Sequence, residues 1–239
     1  MDGVMPVTVQ PEQRGAYAAV IDAICGMGWE RLSSDEVLQV AKAYYYFSIQ
    51  FRENLEIACR LHPDDAKLVS LRAGECDTDN LSPWPDVAAP GERMHHDEFM
   101  RRLLTLQPVR DAAFLEALGT SYLNRVRQVD DRARACSIAS YEDGGLSRVF
   151  AAILRAPHWY GAGQRAFRFF LEQHILFDTD DGGHGSLSRH LAPDDAILPL
   201  WSAFAEMLKS AAPRLVWSPA MVAMRRRPAL AWPMPGASV

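Results

Sequence analysis

The sequence predicts an all-α protein, a single-domain helical bundle of about seven or eight helices. Three observations carry this reading. Apolar residues recur with helical spacing along nearly the whole chain, and no stretch alternates apolar and polar residues as a half-buried strand would. Breaks rich in proline or glycine separate the periodic segments. The 239 residues, 49% hydrophobic and 23% charged, suit one large domain better than two small ones with little core each.

The first clear helix opens at Ser33-Ser34, where Asp35-Glu36 supplies acid to the first turn, and continues to about Leu61. Pro63-Asp64-Asp65 starts another through Lys67–Glu75, with the proline at an early helical position. Thr78–Gly91 holds three prolines and is expected to be irregular. Helices follow over Glu92–Leu106 and, beyond Pro108, over Val109–Leu123. A longer stretch covers Arg125–Ala156, in which Gly144-Gly145 reads as a kink or close packing instead of an end, and Pro157 stops it. Another helix runs from about Gln164 to Asp178, and the glycine-rich segment Thr179–Gly185 separates it from the last, Pro193–Ser210. The domain is expected to span residues 1–224, with 225–239 a proline-containing tail.

Charge and composition narrow the function classes. A net charge of −5 argues against a broad phosphate-binding face, so no nucleic-acid partner is expected. No apolar run approaches the ~18 residues of a membrane span. Met1–Arg14 has neither the basic nor the apolar region of a secretion signal, which makes a cytoplasmic location the expectation. The four cysteines form no C-x-x-C pair and read as reduced thiols.

Ionisable residues on apolar helix faces are the most informative feature. His174 shares a face with Phe167, Phe170, Leu171 and Phe177, and Asp178 follows one turn on. Burying such a pair requires a partner that offsets its desolvation, and a metal does so. Glu142 lies with Ile138, Ala139, Leu146 and Val149; His96 lies with Phe99, Met100 and Leu103, whereas His95 faces Glu98 and Arg102 and is expected toward solvent. Glu75 ends a segment whose inner side holds Leu68 and Leu71, and His184 sits in the glycine-rich turn. Oxygen and imidazole donors without thiolates suit a pair of iron or manganese ions within a helical bundle. Each residue also has a plain alternative: a satisfied core histidine for His96, an ion pair with Arg127 or Arg148 for Glu142, a helix end for Asp178, a surface residue for Glu75 and a loop histidine for His184. Glu92-Arg93-Met94-His95 is a lone E-x-x-H, which lets Glu92 stand in for Glu75.

These residues resemble the haem-oxygenase-like diiron oxidase and oxygenase family, the iron-containing redox enzymes. The family pattern is a helical Glu, a His, a second helical Glu, and a final helix reading H-x-x-x-D followed by another His. Here it falls on Glu75, His96, Glu142, His174, Asp178 and His184, over roughly Ser34 to Leu208. Two departures stand out: the gap from Glu75 to His96 is long, and the commoner spacing after Asp178 would land on Asp181. The resemblance implies two ferrous ions and dioxygen as co-substrate, with Glu142 bridging the metals. It implies oxidation of a small amino-acid-like or amine metabolite, by N-oxygenation or oxidative C–C cleavage, in specialised-metabolite biosynthesis. The partner would then be a small molecule, with no membrane, and a homodimer stays open. Glu53, on the face of Tyr46, Ile49, Gln50 and Ile57, is the candidate for an extra catalytic carboxylate, against an ion pair with arginine. Arg72, Arg101 and Arg148 are candidates to meet a substrate carboxylate, and Tyr44–Phe47 to line a tunnel. The alternatives are a metal-free enzyme of the same shape (a thiaminase-like hydrolase using Cys136, or a cofactorless oxidase) and a non-catalytic helical interaction protein.

Overall fold

Helix α2 (Ser34–Leu61) organises the structure and begins where its sequence says it should. Ser33 Oγ accepts the Glu36 backbone N–H, and Glu36 Oε2 accepts the Ser33 backbone N–H at 2.9 Å, a reciprocal cap that satisfies two otherwise orphaned donors. The computed structural model describes residues 15–75, 84–179 and 185–215, and side chains over 15–75, 84–176 and 187–215. The tail expected over 225–239 lies outside the described residues.

Among the described residues there are ten α-helical segments and no strand. After α1 (Ala16–Cys25) and α2 come α3 (Ala66–Glu75), α4 (His96–Leu103), α5 (Ala112–Val126), α6 (Asp131–Glu142) and α7 (Gly145–Ile153). Then follow α8 (Ala162–Thr179), a short α9 (Gly185–Ser188) and α10 (Leu198–Ala211). The all-α bundle is therefore as expected. No described helix is long and apolar enough to cross a membrane.

Several boundaries differ, each for a local reason. Helix α1 is missing from the sequence expectation because Gly15 caps it without a side-chain hydrogen bond and no acid marks its first turn. Asp65, not Pro63, opens α3: its Oδ1 accepts the N–H of Lys67 at 2.9 Å and of Leu68 at 3.2 Å. The segment Glu92–His95 stays non-helical, and α4 starts at His96. The long Arg125–Ala156 stretch is broken twice, and the glycine pair is an end: Gly144 sits at φ 82°, ψ 0°, a left-handed conformation that closes α6 and opens α7.

Around α2 pack α3, α4, α5, α6, α8 and α10. The α2–α6 seam is unusually polar for a fully buried one. Gln50 Nε2 donates to Tyr141 Oη at 2.7 Å, and Tyr122 Oη donates to Gln50 Oε1. Asn54 Nδ2 donates to Ser137 Oγ at 3.0 Å, while Asn54 Oδ1 accepts Arg134 Nε at 2.9 Å. Gln50 and Asn54 are wholly buried, so each bond made in low dielectric would be costly to lose, and together they fix how far α6 slides along α2. That register places Glu142, the last residue of α6. Aromatic packing closes the core beside it, with Tyr44, Phe47, Tyr141, Phe150 and Phe170 in mutual ring contacts.

A Cβ at Gly144 would meet nothing within 4 Å, so Gly144→Ala carries a conformational cost alone. We expect a loss of about 1 kcal/mol in urea denaturation. Gly119→Ala should lose more, because its Cβ would come within 2.1 Å of the Tyr46 ring.

Candidate functional site

A cavity of about 290 Å³ opens between α2, α3, α4, α6, α7 and α8. Tyr44, Ser48, Phe51 and Leu55 of α2 form one wall, and Leu146 and Phe150 of α7 form another. Into it α3 brings Glu75, α4 brings His96, α6 brings Glu142 and α8 brings His174. Four of the residues expected to be ligands thus line one cavity from four different helices. Asp178 lies on the last turn of α8, but its side chain is outside the described ones, and His184 and the alternative Asp181 are outside the described residues. Glu92, the stand-in for Glu75, lies elsewhere: it accepts from Arg102 Nη1 at 2.8 Å and from the Ala89 N–H at 2.9 Å. His95 also lines the cavity, as half-buried as His96, where solvent was expected.

The hydrogen-bond network assigns the protons. His174 Nδ1 is 2.7 Å from the carbonyl oxygen of Phe170, one turn earlier. A carbonyl only accepts, so Nδ1 carries the proton, and in the neutral ring Nε2 keeps its lone pair. That Nε2 is 3.1 Å from His96 Nδ1, which is itself 2.9 Å from Glu75 Oε2. His96 Nε2 is buried with no hydrogen-bond partner among the described residues. The Phe170 ring lies against both imidazoles, with centroids 5.8 Å from His96 and 4.0 Å from His174, and helps fix their orientation. Among the described residues, no three or more His, Cys, Asp or Glu side chains are arranged as a metal-binding group.

Glu142 is 6% exposed, and the two arginines expected as its plain partners are engaged elsewhere. Arg148 pairs with Asp22, and Arg127 pairs with Glu53. Glu53 does not line the cavity. Its carboxylate takes Arg127 Nε at 3.0 Å and Arg134 Nη2 at 3.1 Å, the ion-pair alternative to the catalytic role. Burial pushes the Glu53 carboxyl up, but the Arg127 hydrogen bond and the charges of Arg127 and Arg134 outweigh it and hold the group below the usual range.

The remaining candidates separate cleanly. Cys136 lies on another pocket beside Asp130 and Asp194, where burial and then Asp194 raise its thiol, the opposite of what a thiolate nucleophile requires. Outside the candidate set, Trp84 stacks on Phe169 at 4.6 Å, and Trp159 donates to the Ala156 carbonyl at 2.6 Å. Of the tyrosine run, Tyr44 alone reaches the cavity. Arg52 pairs with Asp97 at 3.0 Å and steadies the start of α4 next to His96, a contact that helical spacing does not reveal. A partner so distant in sequence leaves no local signal.

Glu53→Gln should destabilise the fold at pH 7 by on the order of 1–3 kcal/mol, because Arg134 is 6% exposed and would lose its counter-charge. The carboxyl titrates lower folded than unfolded, so its stabilisation is complete above the ordinary value of 4.5 and fades as pH falls through the lowered one. Urea midpoints of wild type and variant should converge on acidification below that value. No family model, curated protein or solved structure matches the chain.

Proposed function

We propose that the chain is a haem-oxygenase-like non-haem diiron oxidase or oxygenase, acting with dioxygen on a small metabolite. One observation carries this reading above the others. Glu75 Oε2, His96 Nδ1 and His174 Nε2 converge at 2.9 and 3.1 Å from three different helices, and His174 commits its other ring nitrogen to a backbone carbonyl. Metal-ligating histidines have that second contact, which fixes the tautomer and turns the other nitrogen toward the ion. An imidazole, a second imidazole and a carboxylate within 3.1 Å of one another are a donor set of the kind that would hold an iron ion.

Glu75, His96, Glu142 and His174, with Asp178 and His184 from the sequence pattern, would hold two Fe(II) ions. Bound there, ferrous iron supplies the electrons and the open-shell chemistry that dioxygen reduction demands of a cofactor. The protein's own part is visible in the residues. The Phe170 carbonyl holds the His174 ring in one tautomer, and the Arg52–Asp97 pair steadies the helix end that carries His96. Tyr44, Phe51, Leu55 and Phe150 give the cavity an apolar wall, which lowers the local dielectric beside it and strengthens nearby charge interactions. Oxidation of an amino-acid-like or amine metabolite, in a biosynthetic setting, follows from the family resemblance.

Anaerobic addition of Fe(II), desalting and metal analysis should give two irons per folded chain, with dioxygen then consumed at a rate set by bound iron. His174→Ala should bind at most one iron while keeping its helical circular dichroism. Glu53→Gln, remote from the cavity, should bind as wild type does. Folded wild type that retains no iron, or a His174→Ala protein that retains both, would overturn the proposal.

A further inference from the structure

The cavity has two chemically distinct ends, and only the inner one is used above. Helix α3 supplies both, since Val69, Arg72 and Glu75 recur three residues apart on one face. Glu75 points inward and is 9% exposed, Arg72 is exposed at the rim, and Val69 stands 43% exposed between rim and solvent.

Guanidinium groups near this region are mostly committed to carboxylates. Arg52 binds Asp97 at 3.0 Å and contacts Glu56 at 3.6 Å. Arg101 is taken by Glu98, and Arg102 by Glu98 and Glu92. Arg72 lines the same cavity and has no carboxylate partner among the described residues. The same cavity is lined by the apolar side chains of Phe51, Leu55, Leu146 and Phe150. A planar fork of donors at one end of an apolar slot matches a carboxylate on an apolar body. The acidic inner end, with Glu75 and Glu142, would repel that carboxylate and so set the direction of entry.

We propose that Arg72 is the substrate-anchoring residue, binding the carboxylate of a small, apolar-bodied monocarboxylate at the rim while the body extends toward His96 and His174. The assignment rests on reading this cavity as the substrate site and narrows the amino-acid-like class to substrates that present an anion outward. A volume of about 290 Å³ is at the small end for ligand pockets, which limits the body to a short chain or a single ring. The competing receptor is Glu56, whose 3.6 Å contact with Arg52 is the longer of that arginine's two. It would select an amine instead.

The test uses metal-free, full-length protein and three probes with one shared chain: hexanoate, 1-hexanol and hexylamine. Calorimetric titration should show wild type binding hexanoate about tenfold more tightly than either other probe. Arg72→Gln should reduce that preference to within about twofold, Arg72→Lys should restore part of it, and Arg101→Gln should leave it intact. Equal hexanoate binding by wild type and Arg72→Gln, a preference for hexylamine, or no binding of any probe by wild type would overturn the assignment. Iron retention by Arg72→Gln separates the two readings. If it still holds two irons but keeps the hexanoate preference, only the anchor fails; if wild type prefers hexanoate yet holds no iron, only the oxidase reading fails.

Discussion

The meeting of two imidazoles and a carboxylate from three helices is the contact on which the site turns. His174 has given its Nδ1–H to the Phe170 carbonyl, so it can offer His96 only a lone pair. His96 Nδ1 then stands between that lone pair and the Glu75 carboxylate. Protein interiors tolerate buried polar groups when donors and acceptors balance, and His96 Nε2 is a buried polar atom with no hydrogen-bond partner among the described residues. A cation placed among these donors is the occupant that the proposed oxidase reading requires.

The fold upstream of this contact serves to bring it about. Helix α2 touches most of the bundle, and its polar seam with α6 sets where Glu142 emerges. Gln164 performs a similar task for α8, donating to the Ser34 carbonyl at 2.7 Å while its Oε1 accepts the Gly161 N–H at 2.7 Å. That clasp ties the beginning of α8 to the beginning of α2, and three turns further on His174 arrives beside His96. The wholly buried Phe167, Phe170 and Leu171 hold the intervening face in the core.

How far the sequence was legible depended on whether a feature is local. The start of α2 was readable because Ser33 and Glu36 form a reciprocal cap within four residues. Glu75, His96, Glu142 and His174 were readable because helical spacing reveals a charged group on an apolar face, and the cavity lies where four such faces meet. Glycine was misread at Gly144, since a left-handed helix end and a tolerated kink look alike until the neighbouring helix is placed. His95 was misplaced because it caps α4 and escapes helical periodicity altogether. The engagement of Glu53 by Arg127 and Arg134 spans more than seventy residues, so spacing along α2 offered a face but could not name its partner.

Anomalous diffraction at the iron edge, from crystals loaded with Fe(II) without oxygen, tests the central claim most directly. The account predicts a peak within bonding distance of His174 Nε2 and the Glu75 carboxylate. A map with iron absent from this cavity, and His96 still sharing its proton between Glu75 and His174, would contradict it.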